Sequence, residues 1–110
     1  MEVLTGDGTL MKDRQEISDL VCKLIAALES EIVLDHCSMD DKRRIKNAIS
    51  YLNERKSILV NKGEIPNIAI AFDHLGLMDY YMNRPNLHNI VQSIDEKSDA
   101  SGFQLQLRRN

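Results

Sequence analysis

The first half of the chain carries apolar side chains at helical spacing, in two runs separated by a polar break. The first run follows Asp13, a candidate helix cap, and its apolar face consists of Ile17, Leu20, Val21, Leu24, Ile25 and Leu28. The second run follows Ser38, which with Asp41 three residues later resembles a capping box, and it ends at Gly63, a residue suited to a left-handed cap. Its apolar face consists of Ile45, Ala48, Ile49, Leu52 and Leu59. The spacing predicts two helices, the first ending near Leu34.

Residues 66–97 show the same spacing and predict two more helices. Pro66 and Pro85 suit the first turns of these helices, where the missing N–H of proline has no helical partner. Their inward faces consist of Ile68, Ala71, Phe72, Leu75, Met78 and Met82 in the third helix and Leu87, Ile90, Val91 and Ile94 in the fourth. Whether 66–82 is one helix or is broken at Gly76 stays open, and an alternating strand is the less favoured interpretation of its first residues.

The two ends of the chain lack helical spacing. Residues 1–11, which contain two glycines, predict a short hairpin turn or a loose lead-in. In the tail, 98–110, the segment 103–107 alternates between apolar and polar residues, as a half-buried strand does. Such a strand would pair with Val3–Leu4 or Thr9–Met11, and a frayed tail is the alternative.

The expected fold class is all-α: a small four-helix domain built on an N-terminal antiparallel helical hairpin, with a minor terminal strand pairing as an optional addition. A length of 110 residues suits one core, so the chain is expected to form a single helical domain over 1–110. Its expected parts are a lead-in over 1–11, the hairpin over 12–60, helices 3 and 4 over 66–97 and a tail over 98–110. Since aromatic residues make up 5% of the chain, the core is expected to be aliphatic.

The distribution of charge predicts that the first two helices are antiparallel. The net charge is −3 at pH 7, but residues 1–38 hold three basic and eight acidic residues, whereas residues 39–62 hold seven and three. The acidic cluster at the end of helix 1 consists of Glu29, Glu31 and Asp35, and a basic cluster lies at the start of helix 2, so each opposes its own helix dipole. In an antiparallel pair with a four-residue connection, the two clusters would face each other and offset this cost.

The segment 68–82 is apolar on nearly every side and therefore needs cover from several directions. A central core helix is one explanation. Methionine and tyrosine are also enriched at protein interfaces, so we expect part of the segment to contact a second copy or another protein. The expected contact residues are Phe72, Leu75, Leu77, Met78, Tyr80, Tyr81 and Met82. The predicted function is a non-enzymatic interaction module (a regulator, adaptor, inhibitor or assembly subunit) that forms a homodimer or binds a protein partner.

The basic cluster supports an alternative function, that of a small nucleic-acid-binding transcriptional regulator. The cluster consists of Lys42, Arg43, Arg44 and Lys46. A nucleic-acid-binding domain is usually strongly basic, whereas the net charge of this chain is −3. In the predicted hairpin these cations would also have internal partners. Nucleic acid is therefore the less favoured partner.

No sequence motif organises catalysis, a cofactor or a metal site. A phosphate-binding glycine loop, a GxSxG motif and an HExxH motif are all absent. The possible metal ligands lack the closely spaced pairs of zinc sites: Cys22, His36, Cys37, His74 and His88. We therefore expect no enzyme activity, cofactor or metal. The chain also shows no signal-peptide pattern and no apolar run of membrane-spanning length, which predicts a cytoplasmic location without membrane contact.

Overall fold

The computed structural model describes residues 2–34 and 37–104, with side chains from residue 12 onward. Within those residues it contains five helices and no strand: α1 (Glu2–Ile32), α2 (Met39–Lys62), α3 (Ile68–His74), α4 (Met78–Met82) and α5 (Pro85–Ala100). The predicted all-α class is confirmed, with five helices in place of the predicted four. The additional helix arises because the predicted third helix is divided at Gly76.

The backbone of α1 is helical from Glu2, so the predicted lead-in over 1–11 is wrong. Each of the two glycines in this stretch costs about 1 kcal/mol relative to alanine in a helix interior. Extending an existing helix, however, avoids the costly nucleation step, and each added residue gains one hydrogen bond. Arg14 and the core residues from Ile17 onward contact other parts of the chain and so supply the stable segment from which α1 extends.

α1 and α2 pack against each other in opposite directions. Nη1 of Arg14 donates to the carbonyl of Val60, near the end of α2, at 3.3 Å. Further along α1, Sγ of Cys22 accepts from Nζ of Lys56 at 3.5 Å. Because later residues of α1 meet earlier residues of α2, the two helices are antiparallel.

The two ends of α2 follow the cap signals in its sequence. Oγ of Ser38 accepts a hydrogen bond from the N–H of Asp41 at 3.1 Å. At the other end, Gly63 adopts a φ of +71°, and its N–H donates to the carbonyl of Leu59 at 2.8 Å. This left-handed conformation costs glycine little because it has no Cβ. Both predicted caps are confirmed.

The basic cluster finds partners within its own helix. Arg43 pairs with Asp40 and Arg44 pairs with Asp41, each at 3.4 Å and one turn apart. The two aspartates occupy the first turn of α2, where the helix dipole favours negative charge, so they offset the basic cluster locally. Glu31 of the acidic cluster bonds instead to Tyr80 of α4 and to Arg84, the residue that precedes α5. The charge pattern predicted that the acidic and basic clusters would face each other. Instead, Arg43 and Arg44 pair within α2, and Glu31 pairs elsewhere.

Gly76 ends α3 and separates it from α4. It has a φ of +77°, and its N–H donates to the carbonyl of Asp73 at 3.1 Å, while the N–H of Leu77 donates to the carbonyl of Phe72 at 2.8 Å. This pair of bonds is the Schellman arrangement, and the buried side chains of Phe72 and Leu77 supply the apolar residues that usually accompany it. The segment that the sequence left open is thus two short helices.

The starts of α3 and α5 differ in how well the sequence predicts them. α3 begins after Asn67, whose Oδ1 accepts from the N–H of Ile70 at 2.9 Å. The predicted start at Pro66 is wrong, because Asn67 supplies a side-chain cap that proline lacks. α5 begins at Pro85, and this prediction is confirmed.

α5 runs antiparallel to α1 along the flank opposite α2. Nζ of Lys97 lies 2.6 Å from a carboxylate oxygen of Glu16, near one end of the contact. Nε of Arg84 lies 3.2 Å from a carboxylate oxygen of Glu31, near the other end. α1 is therefore the helix that joins α2 to α5.

The tail makes one bridge instead of a strand pair. The N–H of Ile65 donates to the carbonyl of Phe103 at 3.0 Å, and Ile65 forms an isolated parallel bridge with Gln104. The predicted partners Val3–Leu4 and Thr9–Met11 are wrong, because α1 uses their backbone groups for helical hydrogen bonds. The rest of the predicted strand lies outside the described residues.

Candidate interaction surfaces

Most of the predicted contact residues in 68–82 are covered by the chain itself. Buried in the core or packed partly against it are Phe72, Leu75, Leu77, Met78, Tyr80 and Tyr81. The ring of Tyr81 meets Phe72 edge to face, with centroids 5.4 Å apart, and stacks on His88 of α5 at 6.1 Å. Met82 is 52% exposed. Since Phe72, Leu77 and Tyr81 are buried, they are not available to a partner in this fold.

The exposed apolar side chains concentrate instead at the turn between α1 and α2. In the part of the chain that the structure describes, six large apolar residues are exposed, and three of them form what we call the turn patch: Val33, Leu34 and Met39. Val33 and Met39 are each 78% exposed. The sequence analysis missed this patch, because it treated the break between two helices as a connector. The signal was three large apolar residues within seven positions of a predicted turn.

A polar network connects the end of α1, next to the turn patch, to α4 and to the residue that precedes α5. The hydroxyl of Tyr80 donates to Oε1 of Glu31 at 2.5 Å, and Nε of Arg84 donates to the same oxygen at 3.2 Å. The guanidinium of Arg84 also lies 4.5 Å from the centre of the Tyr80 ring. Burial and the hydrogen bond to Glu31 raise the pKa of Tyr80 well above its usual value, so its hydroxyl stays protonated and remains a donor. The end of α1 is thus fixed immediately before the patch.

The basic cluster lies beside the turn patch on α2, and two of its four cations face outward. Arg43 and Lys46 are exposed, whereas Lys42 is half-buried and Arg44 lies against the turn at Gly76. Together with Met39 and Ser50, the two exposed cations follow the spacing i, i+4, i+7, i+11, which places them on one helix face. We call this exposed face the outer stripe of α2: Met39, Arg43, Lys46 and Ser50.

An open groove of about 830 Å³ runs between α1 and α5. Its lining consists of Asp13, Glu16, Asp19, Leu20 and Lys23 from α1 and Ser93, Glu96, Lys97, Ala100 and Ser101 from α5. Four carboxylates thus face two ammonium groups, and the Glu16–Lys97 pair neutralises one of each. The hydrogen bond from Lys97 lowers the pKa of Glu16. The groove lining is therefore mainly acidic, with Leu20 and Ala100 as its apolar side chains.

A half-buried carboxylate joins α3 to α5. The two oxygens of Asp95 accept from the N–H groups of Ile68 and Ala69, at 2.7 and 3.1 Å. Burial raises the pKa of Asp95, and these two hydrogen bonds offset part of that effect. A cavity of about 180 Å³ beside Asp95 is lined in part by Tyr81 and His88. The sequence analysis missed this cap because Asp95 lies 27 positions from the helix end that it serves.

Among the described residues, no three side chains of the types His, Cys, Asp and Glu come together in a way that could hold a metal ion. Cys22 is an exposed thiol beside Lys56, and Cys37 is a buried thiol. His36 lies outside the described residues.

Comparisons with known proteins give no relative. No family model, no curated protein and no solved structure matches this chain. None of the helices in the described part of the chain is long and apolar enough to cross a membrane.

Proposed function

We propose that this chain is a non-enzymatic protein-interaction module that self-associates, with the turn patch as part of its contact surface. The clustering of Val33, Leu34 and Met39 is the observation that supports this proposal. Single exposed apolar side chains are ordinary on protein surfaces, whereas a group of them in one turn is typical of a contact site. Of the large apolar residues in the predicted contact segment 68–82, Met82 is the most exposed.

The turn patch is presented by ordered backbone on both sides. Glu31, bonded to Tyr80 and Arg84, fixes the end of α1, and the Ser38 cap fixes the start of α2 beside Met39. A surface that is already ordered loses less conformational entropy on binding than a mobile one. The network therefore supports a contact role for the patch without itself touching the partner.

The test is the molar mass in solution, measured by light scattering over a dilution series. We expect a mass above the 12.6 kDa of one chain that falls towards it on dilution. Replacing Val33 with Asp and Met39 with Glu would place charge in the contact and leave the chain monomeric. The matched control is Val60→Glu, because Val60 is 53% exposed at the far end of α2. Far-ultraviolet circular dichroism checks that each variant is folded.

Two results would contradict the proposal. One is a wild-type chain that is monomeric at every concentration, and the other is a Val33/Met39 variant that associates like the wild type. If the monomer instead retards a nucleic acid in a gel, in a way that depends on salt and is abolished by Arg43→Glu, the alternative function through the basic cluster is supported.

A further inference from the structure

We propose that the outer stripe of α2 binds in the groove between α1 and α5 of a second copy of this chain. Each chain would then offer one stripe and one groove, and successive chains would associate head to tail. This inference rests on the proposed function, because Met39 belongs to both the turn patch and the stripe. The inference adds the groove as the surface of the second copy that receives Met39 and the rest of the stripe.

The groove has the chemistry to receive a basic helix face. Asp19 of α1 and Glu96 of α5 are exposed and line opposite walls of the groove, and Leu20 adds a partly buried apolar side chain to its lining. The pairing of Lys97 with Glu16 leaves an excess of carboxylates over ammonium groups in the groove. Such a surface attracts a partner that carries cations around an apolar side chain.

The outer stripe supplies that combination on one face. Met39 is apolar and 78% exposed, and Arg43 and Lys46 follow it at successive turns. The serine at position 50 continues the face with a small side chain, which permits close approach of the helix backbone. Asp40 lies to one side of the stripe and is paired with Arg43 on the surface, where such pairs contribute little.

The lengths of the two surfaces match. At a rise of about 1.5 Å per residue, the stripe from Met39 to Ser50 is about 16 Å long, and the α1 wall from Asp13 to Lys23 is about 15 Å long. A single helix of this length would place Met39 near Leu20 and its cations near Asp19 and Glu96.

Geometry requires that the stripe and the groove meet between chains. Arg14 and Cys22 face α2, whereas Glu16 and Leu20 face the groove, so α2 and the groove adjoin different sides of α1 and the exposed stripe of α2 points away from the groove of its own chain. A contact between two different surfaces is heterologous, and it produces a closed ring or an open filament according to the rotation between copies.

Charge reversal on each surface tests the inference. The groove variant is Asp19→Lys with Glu96→Lys, and the stripe variant is Arg43→Glu with Lys46→Glu. Each variant alone would repel its own copies, so the concentration of half-association, measured by light scattering, should rise at least about tenfold. The control is Glu29→Lys, because Glu29 is an exposed acid of α1 outside the groove lining. It should associate like the wild type.

Mixing the two variants gives the decisive result. In an equimolar mixture the unchanged stripe of one variant meets the unchanged groove of the other, and the two reversed surfaces are also complementary. We therefore expect the mixture to associate at the wild-type concentration. Raising the salt from about 0.1 M to about 1 M, which shortens the Debye length from about 10 to about 3 Å, should weaken association of both the wild type and the mixture.

The outcomes separate this inference from the proposed function. If the Val33/Met39 variant is monomeric but the groove variant associates like the wild type, the groove is not the receiving surface and only this inference fails. If both reversed variants are monomeric and their mixture stays monomeric, the two surfaces do not pair and the inference fails again. A wild-type chain that never associates overturns both.

Discussion

At the scale of single residues, Arg14 connects three parts of the chain. Its guanidinium donates to the carbonyl of Val60 and lies 5.7 Å from the centre of the Phe103 ring. It also fills the space in front of Gly63, where a Cβ would come within 2.7 Å of Nη2. The positive φ therefore favours glycine at this position, and a side chain there would have to push the Arg14 guanidinium aside.

Gly63→Ala should lower the free energy of unfolding more than Gly102→Ala. Both glycines have positive φ values, +71° and +77°, so alanine costs about 1–2 kcal/mol at either position. A Cβ at Gly102 meets nothing within 4 Å, whereas a Cβ at Gly63 must displace Arg14 from Val60. The loss of that hydrogen bond adds roughly 1 kcal/mol. Urea denaturation measures both values, and equal losses would show that Arg14 yields at no cost.

At the scale of elements, α3 depends on α5 for its first turn. A helix of seven residues is too short to be stable alone in water. Asn67 satisfies one of its free N–H groups, and Asp95 satisfies those of Ile68 and Ala69. The stability of α3 therefore depends on an ionisable group in another helix.

As the pH falls from about 7 towards about 4, the free energy of unfolding of the wild type should rise relative to that of the Asp95→Asn variant. Burial raises the pKa of Asp95 in the folded chain above its ordinary value, so the folded state binds a proton before the unfolded state does. Stability then rises as the pH falls through the folded pKa, and the gain is complete below the unfolded pKa of about 4. The asparagine cannot titrate, so it provides the reference.

Denaturant unfolding at a series of pH values measures this difference. If the free energy of unfolding of the wild type instead falls on acidification, relative to that of the Asp95→Asn variant, the two N–H groups stabilise the carboxylate more than burial destabilises it. The folded pKa of Asp95 would then lie below its ordinary value.

At the scale of the whole molecule, the apolar segment 68–82 is used mainly to build the core. Its break at Gly76 lets α3 and α4 turn different side chains inward, so Phe72 and Tyr81 are both buried although nine positions separate them. A segment that is apolar on nearly every side is thereby covered within one small domain. The exposed apolar surface lies elsewhere, at the turn patch.

Phe72→Ala should destabilise the chain strongly, and Met82→Ala should not. Removal of a fully buried phenylalanine costs about 3–5 kcal/mol, because it loses apolar burial and leaves a cavity. Met82 is about half exposed, so its truncation should change stability by no more than about 0.5 kcal/mol. Thermal or urea unfolding compares the two variants. Similar losses of stability in the two variants would mean that α4 packs differently from the arrangement described.

The features that could be predicted from the sequence are those with local causes. The caps at Ser38 and Gly63 and the start at Pro85 each depend on residues within a few positions, and the structure confirms all three. The all-α class follows from apolar spacing, which is also local. The division at Gly76 could be named only as an option, because glycine permits a left-handed turn without requiring one.

The features that were missed depend on residues far apart in the chain. Glu31 bonds to Arg84 across 53 positions, and no pattern near either residue indicates the pair. The charge pattern instead predicted that Glu31 would face the basic cluster. The two aspartates in the first turn of α2 already neutralise that cluster in part. The groove was missed for the same reason, since it is defined by the faces of α1 and α5 that meet in the fold.

The capping of α3 by Asp95 also has a kinetic consequence. α1 and α2 are joined by a short turn, so their contacts form with a small loss of chain entropy. α3 follows α2 directly in the chain, yet two of its first N–H groups wait for a carboxylate 26 to 27 positions further on. We therefore expect the order of folding to differ from the order of the sequence, because α3 gains this cap only once α5 has docked.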